Sequence, residues 1–360
     1  MTTYNYLMEQ DIETLMRLLE TDSPSSYEYE IFDFLQKYID GRCSMMRDCL
    51  GNVYLTHRNF EMPPLLMLTA HIDEIGLQVV RISEDGYVRF RTFGGVDLSV
   101  IAGSQVRILT SEGKVPGVIC KVPIHIERRE RNDKRLQVED MWIDIGCMDY
   151  DEASSLVSIG DMISFSTPAI RLHNDKISGK SLDDKLGVFI ITKVMNLLSY
   201  QGIDCPICSV FTVQEEVGGK GAVIAAERVN PKICICVDVG VATDCPGINR
   251  NKYGDLKIGA GPALVYSSDI NRTLTNLSAD ILDKAGKIAY QKSVGLSAAG
   301  GTDANKIQIA KEGIPCLLLS IPLRSMHTTS EVCDLYDVDM SISSLLEIIK
   351  NYNSLIDSVR

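Results

Sequence analysis

Five short segments, spread from the first quarter of the chain to the last, each carry a residue able to bind a divalent metal. They read TAHID at His71 and Asp73, SLDDKLG at Asp183 and Asp184, VQEEVGG at Glu215 and Glu216, CVDVG at Asp238, and SMHTTSEV at His327. The gaps between them are far too wide for a local metal loop such as a zinc finger. Three of the five follow apolar, strand-like runs, LLMLTA, ICSVFTV and ICICV. Parallel strands end on one edge of a sheet, so residues at their C-terminal ends converge in space. Two His, two Asp and one Glu form a mixed nitrogen and oxygen ligand set suited to zinc, cobalt or manganese. Five ligands exceed one tetrahedral ion and suit two ions that share a bridging carboxylate.

The rest of the chain is compatible with a soluble enzyme. At 360 residues it is long enough for two domains, or for one large domain with an insertion. A formal charge of −12 argues against nucleic acid, which demands clustered Lys and Arg. The opening MTTYNYLMEQDIE has neither the basic nor the apolar stretch of a secretory signal, and apolar runs such as PCLLLSIPL are far too short for a membrane span. Eleven cysteines without a regular framework point to reduced thiols in the cytoplasm. Cys205 and Cys208 open an apolar strand, and Cys234 and Cys236 alternate within another; all four read as packing residues, and a separate zinc site among them as a weak alternative.

Along the chain, amphipathic patterns predict helices over 8–20 and 26–39, with strands at 52–54 and 65–69. From Leu77 to Phe165 the texture changes to short β-runs punctuated by Gly and Asp-Gly, as in a small barrel or sandwich, with one helix at 149–156. Beyond Gly179, helix and strand alternate. Helices are expected at 186–200, 221–229, 270–292, 302–311 and 338–352, and strands at 207–213, 232–239 and 314–321. The sequence therefore describes an α/β unit interrupted by a β-rich insertion: a first part over 1–76, an insertion over 77–165 and a second part over 166–360.

Each site segment has its own logic. In extended backbone, residues i and i+2 point the same way, so His71 can bind metal while Asp73 accepts the second imidazole N–H. Asp183 and Asp184 sit between a turn and a helix, where an acidic pair either complements the helix N-terminus or bridges cations. Glu215 and Glu216 are neighbours, so one can face metal while the other faces a water as general base. Asp238 ends an apolar strand, where an acid needs a partner. His327 follows the strand CLLLSI. His57, His125 and His173 lack such contexts and read as surface or satisfied polar residues.

The order HxD, LDD, EE, D, H is more specific than any one segment. With TAHIDEIG (69–76), WIDIG (142–146), GKSLDDKLG (179–187), TVQEEVGGKGA (212–222), GAGPAL (259–264), AGGTDANKI (299–307) and RSMHTTSEV (324–332), the chain resembles a known family over nearly its whole length. It is similar to the cytosolic dinuclear-metal aminopeptidases, which include glutamyl, lysyl and deblocking aminopeptidases, cellulase-M-like proteins and the tetrahedral TET particles. The resemblance implies a zinc-peptidase-like mixed sheet flanked by helices and interrupted by a smaller β-barrel dimerisation domain. It implies two divalent ions per subunit, zinc with cobalt or manganese as alternatives. His71, Asp183 and Asp238 would hold one ion, and Asp183, Glu216 and His327 the other. Glu215 would be the general base, Asp73 the support of His71, and the Asp183–Asp184 peptide cis. Substrates would be short peptides, and dimers would assemble to a dodecamer. Thr328, Ser26 and Lys185 stand where the family usually has Ser, Gly and Arg, which bears on substrate preference rather than on the ligands. Two rivals share the residues: a deacylase acting on N-acylated small molecules, and a catalytically silent metal-stabilised assembly subunit.

Overall fold

Alternation along the strand runs decides the layers of this protein. A computed structural model describes residues 4–57, 65–126, 136–202, 206–295 and 301–359. Two helices, Glu9–Glu20 and Tyr29–Tyr38, precede strands β1 (Cys43–Arg47), β2 (Val53–His57) and β3 (Leu66–His71). Six strands follow: β4 (Gly76–Ile82), β5 (Val88–Phe93), β6 (Gln105–Thr110), β7 (Gly113–Lys121), β8 (Met141–Asp144) and β9 (Met162–Phe165). They pair antiparallel in the order β4-β5-β8-β7-β6-β9 and close into a barrel. Its interior is filled by alternate residues such as Leu77, Val79, Val106, Ile108, Ile119 and Ile143. The short helix Tyr150–Leu156 is capped by Asp149, whose side chain accepts the Glu152 N–H at 2.9 Å.

After β10 (Ile170–Leu172) and β11 (Lys176–Gly179) comes the helix Leu182–Gln201, buried at every position from Leu182 to Thr192. Strands β12 (Ile207–Thr212), β13 (Ile233–Val241), β14 (Ala263–Val265), β15 (Gln291–Ser293), β16 (Cys316–Leu323) and β17 (Glu331–Asp334) complete the set. The main sheet runs β1-β2-β12-β3-β13-β16-β14-β15, and its four central strands, β12, β3, β13 and β16, are mutually parallel. These central strands are buried on both faces, as parallel sheets require. Leu66, Leu68, Ile233, Ile235, Leu317 and Leu319 face a core shared with the helices Leu182–Gln201 and Leu335–Lys350. Met67, Cys234, Cys236, Cys316 and Leu318 face the opposite core, under Lys220–Val229 and Asp303–Ile307. The mixed sheet flanked by helices and the closed barrel are the architecture expected from the sequence.

Two expected helices are shortened. The one placed at 270–292 spans only Arg272–Ala285. Gly286, at φ +66°, ends it by donating its N–H to Leu282, and Gln291–Ser293 then pairs with β14 as an edge strand. The one placed at 302–311 is the five-residue Asp303–Ile307. Cys205 lies outside the described residues. Among the described residues no helix is long and apolar enough to cross a membrane.

Candidate metal centre

The four parallel strands deliver their side chains to one edge of the sheet. β3 ends in His71, whose register partner on β12 is Thr212, so the Gln214–Glu216 turn begins beside it. Asp238 sits in the C-terminal half of β13, opposite Ser320 of β16, and β16 leads into the loop bearing His327. The start of the helix Leu182–Gln201 brings in Asp183 and Asp184, which depart from helical dihedrals and are joined by a cis peptide.

The two imidazoles meet the two oxygens of one carboxylate. His71 Nε2 lies 3.0 Å from Asp183 Oδ1, and His327 Nε2 lies 3.3 Å from Asp183 Oδ2. Asp238 Oδ1 is 3.9 Å from His71 Nε2, and Glu216 Oε1 is 3.5 Å from His327 Nε2. His71, Asp183 and Glu216 offer ligand atoms within 4.8 Å of one another, and so do His71, Asp184 and Asp238. All seven predicted site residues therefore gather at one place. Glu215 lines the same cavity, a space of about 690 Å³ whose walls include the apolar side chains of Val265, Ile270, Leu318 and Met326.

Supporting contacts refine one expectation. His71 Nδ1 lies 3.0 Å from the main-chain carbonyl of Asp73, closer than the 3.6 Å to its carboxylate. That carboxylate instead accepts the N–H groups of Glu215 (2.9 Å) and Glu216 (3.2 Å) and the Ser25 hydroxyl (2.5 Å). Asp73 thus fixes the Glu-Glu turn as well as His71. Sequence reasoning gave no role to Glu331, although its segment was singled out. Its carboxylate accepts the N–H of Asp183 at 3.1 Å and of His327 at 2.9 Å, tying two of the site's backbones together. Asp184, read from the sequence only as half of an acidic pair that complements the helix N-terminus or bridges cations, accepts the N–H groups of His71 (3.3 Å) and Gly187 (3.0 Å). The barrel reaches in through Gly95, whose carbonyl lies 3.2 Å from His327 Nδ1. A side chain there has no room, since a Cβ on Gly95 would stand 2.4 Å from the same nitrogen.

Electrostatics show what the cluster lacks. Burial, then the charge of Asp238 and Asp303, pushes Glu215 up to about 10 against the pull of His71. Burial and Asp183 push Glu216 up to about 8, and burial and Asp183 push Asp238 up to about 7. Asp184 and Glu331 are driven well above the usual carboxylate range, chiefly by burial. Asp183 goes the other way: burial opposes it, but hydrogen bonds from His327 and His71 hold it well below that range. His327 is raised to about 9 by its hydrogen bond to Asp183. Among the described residues, no Lys or Arg forms an ion pair with these six acids. Buried carboxylates of this density need cations, and the donors present, imidazole nitrogen and carboxylate oxygen, fit divalent metals.

A second buried charge cluster lies behind the site. Lys180 Nζ contacts Thr21 O (2.8 Å), Asp22 (3.1 Å), both oxygens of Glu74 (2.7 and 2.9 Å) and the barrel hydroxyl of Ser164 (2.9 Å). Asp22 also pairs with Arg107 and Lys114 of the barrel, at 2.5 and 2.8 Å. Lys185, fully buried, reaches Glu74 at 3.4 Å, and burial pushes its ammonium down to about 7 against the attraction of that carboxylate. Glu74 follows His71 by three residues and Lys185 follows Asp183 by two, so this cluster anchors the segments that carry the site.

Comparisons with known proteins converge on one family. The sequence profile of the M42 glutamyl aminopeptidase family matches residues 51–343. The lysyl aminopeptidase of Pyrococcus furiosus is 31% identical over 353 residues, covering 94% of this chain and 98% of that relative. The crystal structure of a TET aminopeptidase from a marine sediment Thaumarchaeota archaeon superposes with a TM-score of 0.89 at 31% identity, over 98% of this chain and 99% of that one. The TET1 peptidase of Pyrococcus horikoshii, which can assemble into a tetrahedron or a large octahedral shell, gives a TM-score of 0.84 at 29% identity, over 94% and 99%.

Proposed function

This chain belongs to the M42 glutamyl aminopeptidase family and is an aminopeptidase, and from that premise we propose a dinuclear metal centre in which Asp183 is the bridge and Glu215 the general base. The single observation that carries the reading is that one carboxylate presents each of its oxygens to a different imidazole, 3.0 Å to His71 and 3.3 Å to His327. His71, Asp183 and Asp238 hold one ion; Asp183, Glu216 and His327 hold the other. Zinc is the metal assigned, with cobalt or manganese as substitutes. When bound, the two ions polarise the scissile carbonyl and acidify the attacking water.

The chain's own groups do the rest. Asp73 holds the backbone of Glu215 in place, so its carboxylate stands ready to take the water's proton and return it to the leaving amine. The apolar cavity wall receives the N-terminal side chain of a short peptide. The dense carboxylates favour a substrate with a free α-ammonium group over an acylated one. Residues 1–76 and 166–360 form the catalytic unit, and the barrel of 77–165 mediates subunit pairing, with dimers building a dodecamer. The compartment assigned is the cytoplasm, on the reading that eleven cysteines without a regular framework are kept as thiols.

The test is to strip the protein with a chelator, restore Zn, Co or Mn singly, and assay a panel of aminoacyl chromogenic substrates beside their N-acetylated versions. Metal-restored hydrolysis of the free-amine series alone is expected. Preference for the acetylated series identifies a deacylase instead, and no hydrolysis of either identifies a silent subunit.

A further inference from the structure

On the face of the sheet remote from the long buried helix, three cysteines converge. Cys234 and Cys236 alternate along β13 and so point to one side, and the register partner of Cys234 on β16 is Cys316. Their exposures are 0%, 1% and 1%. The three sulfurs lie within 4.8 Å of one another, with Cys234 and Cys236 3.7 Å apart. Three sulfurs each about 2.3 Å from one ion stand roughly 3.8–4.0 Å apart, so the cluster needs little change to close around a metal. The spacing of Cys234 and Cys236 alone does not reveal this, because the third donor arrives from another strand.

We propose that Cys234, Cys236 and Cys316 form a buried three-sulfur site for a soft monovalent ion, Cu(I), separate from the hydrolytic centre. Thiolate sulfur selects soft ions such as Cu(I) over the harder ions that suit carboxylate and water ligands. Structural zinc sites take four ligands, and here the sulfurs belong to an apolar core that also holds Met67, Ala225, Ala226 and Ile307. A monovalent ion with three donors suits that enclosure. Cu(I) displaces one thiol proton to solvent and is held by that thiolate and the two remaining thiol sulfurs, so the enclosed group carries no net charge; no electron is transferred.

The test uses the full-length, metal-loaded protein, kept anaerobic with a thiol-free reductant and titrated with Cu(I) against a chromogenic Cu(I) chelator. One Cu(I) per chain is expected, with a sulfur-only coordination shell in copper K-edge X-ray absorption. Cys316→Ser weakens binding by more than about 100-fold, beyond the range for losing an outer partner of a metal ligand. Cys208→Ser, in the same core but outside the cluster, leaves it unchanged. Failure to retain copper, a shell containing nitrogen or oxygen, or equal binding by Cys316→Ser overturns the site. The absorption measurement on the unaltered protein decides the matter if Cys316→Ser does not fold.

Discussion

Two buried charge clusters lie side by side in this protein and are balanced in opposite ways. Around Glu74 the chain supplies its own cations: Lys180, Lys185, Arg107 and Lys114 surround Asp22 and Glu74. Asp22 is accordingly stabilised as an anion: burial opposes it, but Arg107, Lys180 and Lys114 hold it far below the ordinary range. Around Asp183 the chain supplies six carboxylates and two imidazoles, and most of those carboxylates are pushed upward. The first cluster is complete as folded. The second is complete only with cations from outside. A buried acid is thus informative about function when its countercharge is missing, not merely because it is buried.

The sharpest test of this contrast is Asp183→Asn. A bridging ligand serves both ions, so its loss is expected to exceed that of either His71→Ala or His327→Ala and to deplete both metals together in elemental analysis. Full occupancy with normal turnover would remove the bridge. Next in size is Glu215→Gln, which should retain metal while turnover falls by about two to four orders of magnitude, the usual worth of a general base. A variant keeping a tenth of the activity or more, roughly ten times above that range, contradicts the assignment.

The self-neutralised cluster should respond in stability rather than in chemistry. Lys180→Met leaves Glu74 and Asp22 buried with less cation, at a cost of about 3–5 kcal/mol. The midpoint of chemical denaturation reads it, and an unshifted midpoint would mean the cluster contributes nothing. The smallest effect is that of Asp22→Asn, and it depends on pH. Asp22 has a folded pKa below its unfolded value of about 3.9, so its contribution is present above about pH 4 and fades as the pH falls toward the folded value. The variant should be less stable than the parent by about 1.5–3 kcal/mol at neutral pH, the worth of hydrogen bonds to a charged group. The gap should narrow below about pH 4. A gap that stays constant across that window would rule out this linkage.

The same contrast explains what was legible in the sequence. His71 and Asp238 stand at the ends of apolar strand runs, where a polar residue is conspicuous, and the parallel arrangement of those runs follows from their continuous hydrophobicity. The barrel was readable from its short strands and turn residues. Lys180 and Glu74 are separated by 106 residues and Lys180 and Asp22 by 158, and nothing in their local patterns announces a buried partner. Glu331 works through backbone N–H groups, which no side-chain motif reports. Cys316 joins Cys234 only through strand register. The helix expected at 270–292 failed at Gly286 because hydrophobic periodicity continued past a residue whose conformation stopped the backbone.

The strand order of the main sheet has a consequence for biosynthesis. β3 carries His71 near the start of the chain, while His327 follows β16 near its end, 256 residues later. At translation rates of ~5–20 residues per second, roughly 13–50 seconds separate their emergence from the ribosome. During that interval the barrel can close, because its six strands are contiguous in sequence, whereas the acid cluster has no second imidazole and no Glu331. On the proposed ligand sets His71, Asp183 and Asp238 emerge well before His327, so only the second ion waits for the end of synthesis, and a nascent chain carries half of the site.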